Sequence, residues 1–277
     1  AHLYPKFLNL YGDLGNIITL VKRCEWRGIQ VSIDNVDIGD TMTEHDLYFI
    51  GGGQDKQQQD VAGELYKNKD FLHQERDNGA VFLGICGGYQ LFGHYYQPFE
   101  GDRLVGISLI DAYTVAGEKR FIGNVTVETD FLTPKTLVGF ENHSGLTFLR
   151  GGAKPLGKNI IGNGNNGQDG FEGARYKNVF GTYLHGSFLP KNPHFADYLL
   201  ELALEKKYGE KIRFLVNFKN QIRFRFNLPA KAVYCAETQG FPILRHIAGF
   251  VILGKCLYQL RDGFHLLVSL PYSLSFH

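Results

Sequence analysis

Cysteine is scarce in this chain of 277 residues: Cys24, Cys86, Cys235 and Cys256 make up the full set. Four scattered thiols exclude a disulfide framework, and no CxxC pair is present to hold a metal. Methionine and tryptophan occur once each. Neither sign of charge is in excess, with 29 Lys+Arg against 28 Asp+Glu and a formal net charge of +1. A protein that grips nucleic-acid phosphates carries a clear basic surplus, so this balance argues against that class. Long apolar runs are missing too. Ile247 to Gly254 stops at Lys255, far short of the roughly 20 residues that a membrane span needs. No signal peptide opens the chain. It begins on AHLYP, which reads as the inside of a strand without an initiator Met, so residues are expected before it. The expectation is a soluble, cytoplasmic protein.

Glycine, by contrast, is abundant. The 34 glycines are about 12% of the chain, against a usual figure of roughly 7%, and call for tight turns or close backbone approaches. Hydrophobic residues at 44% and charged residues at 21% fit a folded globular protein. The charge is also unevenly spread. From Arg213 to the end, eight basic residues against two acidic ones give +6, and the 212 residues before it, with 21 basic against 26 acidic, carry −5. The expected division is a domain over 1–211 and a basic C-terminal extension over 212–277.

The first part alternates between strand and helix. Asp13 reads as the cap of a helix whose apolar positions Ile17, Leu20, Val21 and Cys24 follow helical spacing, with Gly28 closing it. IQVSIDNV (29–36) and DLYFI (46–50) read as strands, 56–77 as one polar-faced helix closed by Asn78 and Gly79. AVFLGI (80–85) is continuously apolar, as a strand covered on both faces must be. A helix is expected around Tyr89 to Tyr95. This alternation predicts a parallel sheet with right-handed crossovers. After about residue 103 come short β segments, RLVGISLI, FIGNVTVET, TLVGF and VFGTYL, with GNGNNGQDG (162–170) as an exposed hairpin connection. An amphipathic helix over 194–207 closes the body. In the tail, IRFRFNL alternates like a strand.

One pattern carries chemistry. Gly84-Ile85-Cys86-Gly87-Gly88 leaves the apolar strand and enters a helix, the cysteine form of a nucleophile elbow. The helix N-terminus is expected to favour the thiolate, lowering the thiol from about 8.5, and the Gly87 N–H to face a developing oxyanion. FIGGGQD (49–55) is a second glycine-rich strand exit, in which Gly53 is the candidate second donor. A thiol nucleophile needs a base. His185 in GTYLHG and His143 in FENHSG compete for that role. Gly152 to Lys158 (GAKPLGK) imitates a phosphate loop, but Asn159 follows it and no strand or helix flanks it, so no ATP site is expected here.

LNLYGDLGNI (8–17), FIGGGQD, GICGGYQ (84–90), GFENHSG (139–145) and GTYLHG (181–186) resemble, in order and spacing, the class I glutamine amidotransferases. The resemblance is to the cobyric-acid-synthase-like branch, and within it to the glutaminase subunits of lipid II isoglutaminyl synthases, over residues 1 to about 211. It implies an α/β, flavodoxin-like fold, a mostly parallel sheet flanked by helices with added β segments. It implies Cys86 as the nucleophile on the glutamine side-chain amide and His185 as the catalytic histidine, leaving His143 to shape the pocket. Arg120 in EKRFIGNV matches a residue that holds the glutamine substrate, and Gln90 a pocket-lining one. The wider superfamily places a Glu two residues after the histidine. Here Ser187 stands there, which implies a Cys–His dyad and leaves open whether Ser187, a backbone carbonyl or another carboxylate orients His185. The resemblance further implies a Mur-ligase-like partner subunit that holds ATP and Mg²⁺ and amidates lipid II near the inner membrane face, this chain needing no cofactor. A corrinoid acceptor, a stand-alone cysteine hydrolase and a non-catalytic binding subunit are the alternatives. The tail has no counterpart in the family. A partner-docking or membrane-surface extension and an out-of-frame or poorly ordered tail are its two readings.

Overall fold

The structure, a computed structural model, describes residues 1–10, 12–214, 233–235, 250–253 and 256–259. The chain divides into two units, Ala1–Phe214 and Leu215–His277.

In the first unit the elements run β1 (His2–Leu3), α1 (Leu14–Glu25), β2 (Asn35–Val36), β3 (Leu47–Ile50), α2 (Asp55–Lys67), α3 (Lys69–Asp77), β4 (Val81–Ile85), α4 (Gly87–Phe92), β5 (Tyr95–Gln97), β6 (Leu104–Val105), β7 (Ala112–Glu128), β8 (Thr136–Leu149), β9 (Gly157–Ile161), β10 (Phe171–Glu172), β11 (Ala174–Tyr176), β12 (Val179–Thr182), α5 (Phe188–Lys191) and α6 (Pro193–Tyr208). They build two sheets. The first has the order β11-β12-β4-β3-β1-β2, parallel throughout except for the β11–β12 pair. Its strands β2-β1-β3-β4 follow the flavodoxin-like order, in which sites gather at the carboxyl ends of the strands. β4 is central and buried at every position, as its unbroken apolar run requires. Tyr48 stacks on Phe82 at 4.7 Å between ring centroids, and Phe82 meets Phe92 edge-on, so α4 is packed directly onto the strand that precedes it. α1 and α6 are joined by a buried fork. Arg23 Nε and Nη2 donate to the two carboxylate oxygens of Asp197 at 2.6 Å each, and Arg27 adds a third bond at 2.9 Å.

The second sheet has the order β10-β9-β7-β5-β6, with β8 also paired to β7. The antiparallel β7–β8 hairpin dominates it, and its register slips between Ala116 and Phe121.

Several expectations are corrected. Helix 56–77 is two helices that meet at Asn68. Of IQVSIDNV only Asn35–Val36 pairs with another described strand, and Val31 and Ile33 are exposed. The helix after Cys86 ends at Phe92, and Tyr95 opens a strand. RLVGISLI contributes only Leu104–Val105. FIGNVTVET and TLVGF are parts of the long strands β7 and β8, which take in FENHSG as well. The loop 162–170 does connect β9 to β10, but its centre is not exposed. Asn165 is buried, accepting from Tyr89 Oη at 3.1 Å and donating to Gly173 O at 2.9 Å.

In the second unit the described strands are β13 (Val233–Cys235), β14 (Phe250–Leu253) and β15 (Cys256–Gln259), antiparallel in the order β13-β15-β14. IRFRFNL, and with it the question of an ordered or disordered tail, lies outside the described residues. No described helix is long and apolar enough to cross a membrane.

Candidate active site

Three strands of the first sheet, β3, β4 and β12, end side by side, and their exits supply one cluster. After β4 the backbone turns at Cys86 with φ +50° and ψ −102°, a left-handed excursion that non-glycine residues seldom make. The turn is held from both sides: the Cys86 N–H donates to Thr182 O of β12 at 2.8 Å, and the Gly88 N–H to Gly51 O after β3 at 3.1 Å. Gly87 has to lack a side chain, since a Cβ there would sit 2.9 Å from the Gly53 nitrogen and 3.1 Å from Gln58 Cδ. The Gly53 nitrogen takes up that space, and the Gly87 N–H faces the Cys86 sulfur.

Gly52 separates the thiol from the imidazole. A Cβ on Gly52 would lie 3.2 Å from His185 Cε1, 3.4 Å from Cys86 Cβ and 3.5 Å from Asp13 Oδ2. The structure thus brings Cys86, His185 and Asp13 around one glycine. His185 follows β12 and is buried, with its N–H on Phe140 O of β8 at 2.8 Å. His143 is placed differently. Its ring lies flat on Tyr183 at 3.6 Å, and its Nδ1–H donates to Gly145 O at 2.8 Å.

A cavity of about 330 Å³ opens beside Cys86, and Gly53, Gln90, Arg120, Asn142 and His143 also line it. Gln90 on α4 donates from Nε2 to Tyr183 Oη at 3.2 Å, and Tyr183 shares a further 2.6 Å bond with Thr147 Oγ1. Arg120 stands where β7 bulges away from β8. Its Nε donates to Asn142 Oδ1 at 2.6 Å and its Nη2 to Asn142 O at 3.4 Å. Bulges of this kind re-aim side chains at functional sites.

The electrostatics correct one expectation. Burial, with the Asp13 carboxylate adding to it, pushes the Cys86 thiol up to about 12, although the Gly87 N–H and Arg120 pull the other way. The expected lowering by the helix N-terminus is outweighed, for α4 is only six residues long and the sulfur has lost its water. Burial, with His143, Arg120 and Lys191 contributing, drives His185 down to about 3. Thiol and imidazole are therefore both neutral here at neutral pH.

Two further roles change. Asp13 does not cap α1. It has helical backbone angles and makes no side-chain cap bond. Instead its Oδ2 accepts from the Gly52 N–H at 2.6 Å, so it anchors the β3 exit. Burial raises its carboxyl to about 7 against that bond. Ser187 gives its hydroxyl proton to Gly12 O at 2.6 Å rather than to His185. Sequence reasoning also passed over Tyr183, Asn142 and Gln58. The first two stand inside motifs that drew attention to the neighbouring histidines. Among the described residues no three His, Cys, Asp or Glu side chains are grouped to hold a metal ion. Gly152 to Lys158 leaves the turn after β8 and runs into strand β9, so no helix follows it to build a phosphate loop.

The CobB/CobQ-like glutamine amidotransferase domain matches residues 1–193. The chain is 43% identical over 216 residues to the lipid II isoglutaminyl synthase (glutamine-hydrolyzing) subunit GatD of Streptococcus pneumoniae, covering 77% of this chain and 83% of that protein. It is 44% identical over 208 residues to the subunit of the same name from Staphylococcus aureus, covering 74% and 84%. A probable cobyric acid synthase of Methanothermobacter thermautotrophicus is 32% identical, but the match covers only 42% of that protein. Among solved structures, PurLQS from Thermotoga maritima superposes with a TM-score of 0.52 at 14% identity, covering 76% of this chain and 97% of that one, a likeness of fold. By sequence match and fold together, the chain belongs to the CobB/CobQ-like glutamine amidotransferase family.

Proposed function

We propose that this protein is a glutaminase subunit that hydrolyses L-glutamine to glutamate and ammonia through a Cys86–His185 dyad. The observation that carries the reading is the strained turn at Cys86, which places the sulfur, with the Gly87 N–H on it, at a cavity that Gly53 and Arg120 also line. Arg120 holds the α-carboxylate of glutamine, a task suited to a guanidinium fork, and Gln90 lines the pocket. The thiol proton passes to His185 as the sulfur attacks the side-chain amide carbon. The new oxyanion is stabilised by the Gly53 and Gly87 N–H groups. His185 then gives the proton to the nitrogen, ammonia leaves and a γ-glutamyl thioester remains. Water deprotonated by His185 attacks it, the C–S bond breaks, and the thiol takes back its proton. With both groups neutral in the free protein, proton transfer is coupled to substrate attack and needs no preformed ion pair.

The ammonia is delivered to a Mur-ligase-like partner. That partner uses ATP and Mg²⁺ to activate the D-glutamate of lipid II and amidates it to D-isoglutamine, so the complex works at the inner membrane face while this chain needs no cofactor of its own. Two relatives above 40% identity, both GatD subunits of lipid II isoglutaminyl synthase, support this acceptor over a corrinoid. The test is glutamate release from L-glutamine by the full chain, alone and with a Mur-ligase-like partner, together with amidation of lipid II. Turnover that persists in Cys86→Ala removes the proposed nucleophile. Turnover without lipid II amidation in the presence of the partner removes the acceptor.

A further inference from the structure

Three charged side chains, Arg120, Lys56 and Asp55, line the cavity beside Cys86. Arg120 provides the cation that the proposed function uses for a carboxylate. Asp55, the first residue of α2, is the one carboxylate among the described residues lining the cavity. Tyr96 is buried and also lines the cavity, and its hydroxyl donates to Asp55 Oδ1 at 3.1 Å, fixing the carboxylate from one side. One turn further along α2, Gln58 is 2% exposed and lines the same space. Its Nε2 donates to Gly53 O at 3.3 Å, while its Oε1 is buried without a hydrogen-bond partner. A buried acceptor left unpaired costs about 1–3 kcal/mol, which a ligand that brings a donor removes.

Helix polarity alone accounts for an acidic residue in the first turn of α2. It does not account for the buried tyrosine that aims that residue, nor for the orphaned amide oxygen that shares its cavity. An α-ammonium group accounts for both, since it carries a positive charge and three N–H donors. We infer that Asp55, held by Tyr96 and supplemented by Gln58 Oε1, is the subsite for the α-ammonium of the amino-acid substrate. Paired with Arg120, it makes the pocket read both charges of a free α-amino acid and discriminate against amides whose α-nitrogen is absent or acylated. This inference rests on the glutaminase reading and names what that site selects.

The experiment compares L-glutamine with glutaramate, which keeps the chain, the carboxylate and the amide but has no α-ammonium. In the full chain, Asp55→Asn is expected to raise KM for L-glutamine about 10–100-fold, the worth of a hydrogen bond to a charged group, with kcat within about threefold. Its kcat/KM for glutaramate stays at the wild-type value, so the preference between the two amides collapses, and Asp55→Glu restores part of it. Equal losses for both amides, or an unchanged preference, overturn the inference. Calorimetric binding of the two compounds to a Cys86→Ser chain gives the same comparison without turnover. If the wild type hydrolyses neither amide but Asp55→Asn, added to Cys86→Ser, still abolishes selective L-glutamine binding, the glutaminase reading falls and the subsite stands. If hydrolysis is present and binding selectivity ignores Asp55, the reverse holds.

Discussion

The two sheets of the first unit contribute to one candidate site by opposite means. The parallel sheet supplies Cys86, His185, Gly53 and Gly87 from short turns at strand ends, where each backbone is pinned by its neighbours and a single Cβ would not fit. The antiparallel sheet supplies Arg120, Asn142 and His143 from the middle of long strands, where a register slip lifts one side chain over the pocket. The difference is one of tolerance. A strand-end turn is defined by contacts among segments distant in sequence, so any added volume moves the reacting atoms. A bulged hairpin is defined locally, so a change there alters what is bound more than what reacts.

That contrast can be broken by experiment. The largest effect is expected from Cys86→Ala, which should lower glutamine turnover by at least about 10³-fold while leaving the melting temperature within a few degrees. Iodoacetamide should modify Cys86 in the free chain ever faster up to pH 10, because burial holds the thiol up to about 12. A plateau below pH 8 would contradict this. His185→Ala should cost about 10²–10⁴-fold in kcat, the range for a lost general acid–base. Next comes Gly87→Ala. Its new methyl group presses on the Gly53 amide, and kcat should fall about 10²–10³-fold, as for a lost oxyanion donor. If Gly87→Ala keeps full kcat, the paired-amide arrangement is refuted. From the antiparallel sheet, Arg120→Ala should raise KM for glutamine about 10–100-fold and change kcat little. A kcat loss as deep as that of Gly87→Ala would erase the proposed division of labour.

The smallest effect concerns stability. Glu172 is fully buried, accepting from the Tyr183 N–H at 2.7 Å and from Thr182 Oγ1 at 3.0 Å, and burial raises its carboxyl to about 8. Its folded value lies above its ordinary one, so its contribution is present below about pH 4.5 and is lost as pH rises through 8. Glu172→Gln should flatten the fall in melting temperature between pH 5 and pH 9 by about 2–5 °C. An unchanged slope would show that this carboxyl is not protonated in the fold.

The sequence made the parallel half legible because its signals are local. An unbroken apolar run marks a strand buried on both faces, and glycines flanking Cys86 mark a turn that excludes Cβ atoms. It misled where a residue's partner is remote. Asp13 has the identity and position of a helix cap, yet its carboxylate goes to Gly52, 39 residues away. Ser187 looked free to orient His185, yet it is committed to Gly12. Val31 and Ile33 alternate as strand residues do, but alternation cannot say whether a neighbouring strand reaches them. The antiparallel half was legible only in fragments. FIGNVTVET and FENHSG turned out to be facing parts of one hairpin, and the bulge that raises Arg120 is a property of their register, which no single segment encodes.

The small loop after β1 has a consequence for how the molecule is made. Through Asp13 it ties down the exit of β3, and through Gly12 it receives Ser187 from beyond β12, a closure across 175 residues. Contacts of such long range come late, because the entropy of closing the intervening chain has to be met first. The strained turn at Cys86 takes its bonds from the same late-meeting strands. A nascent or partly folded chain therefore carries an ordinary cysteine in an unshaped loop. On the proposed function, competence for chemistry is expected to arrive only with these long-range contacts.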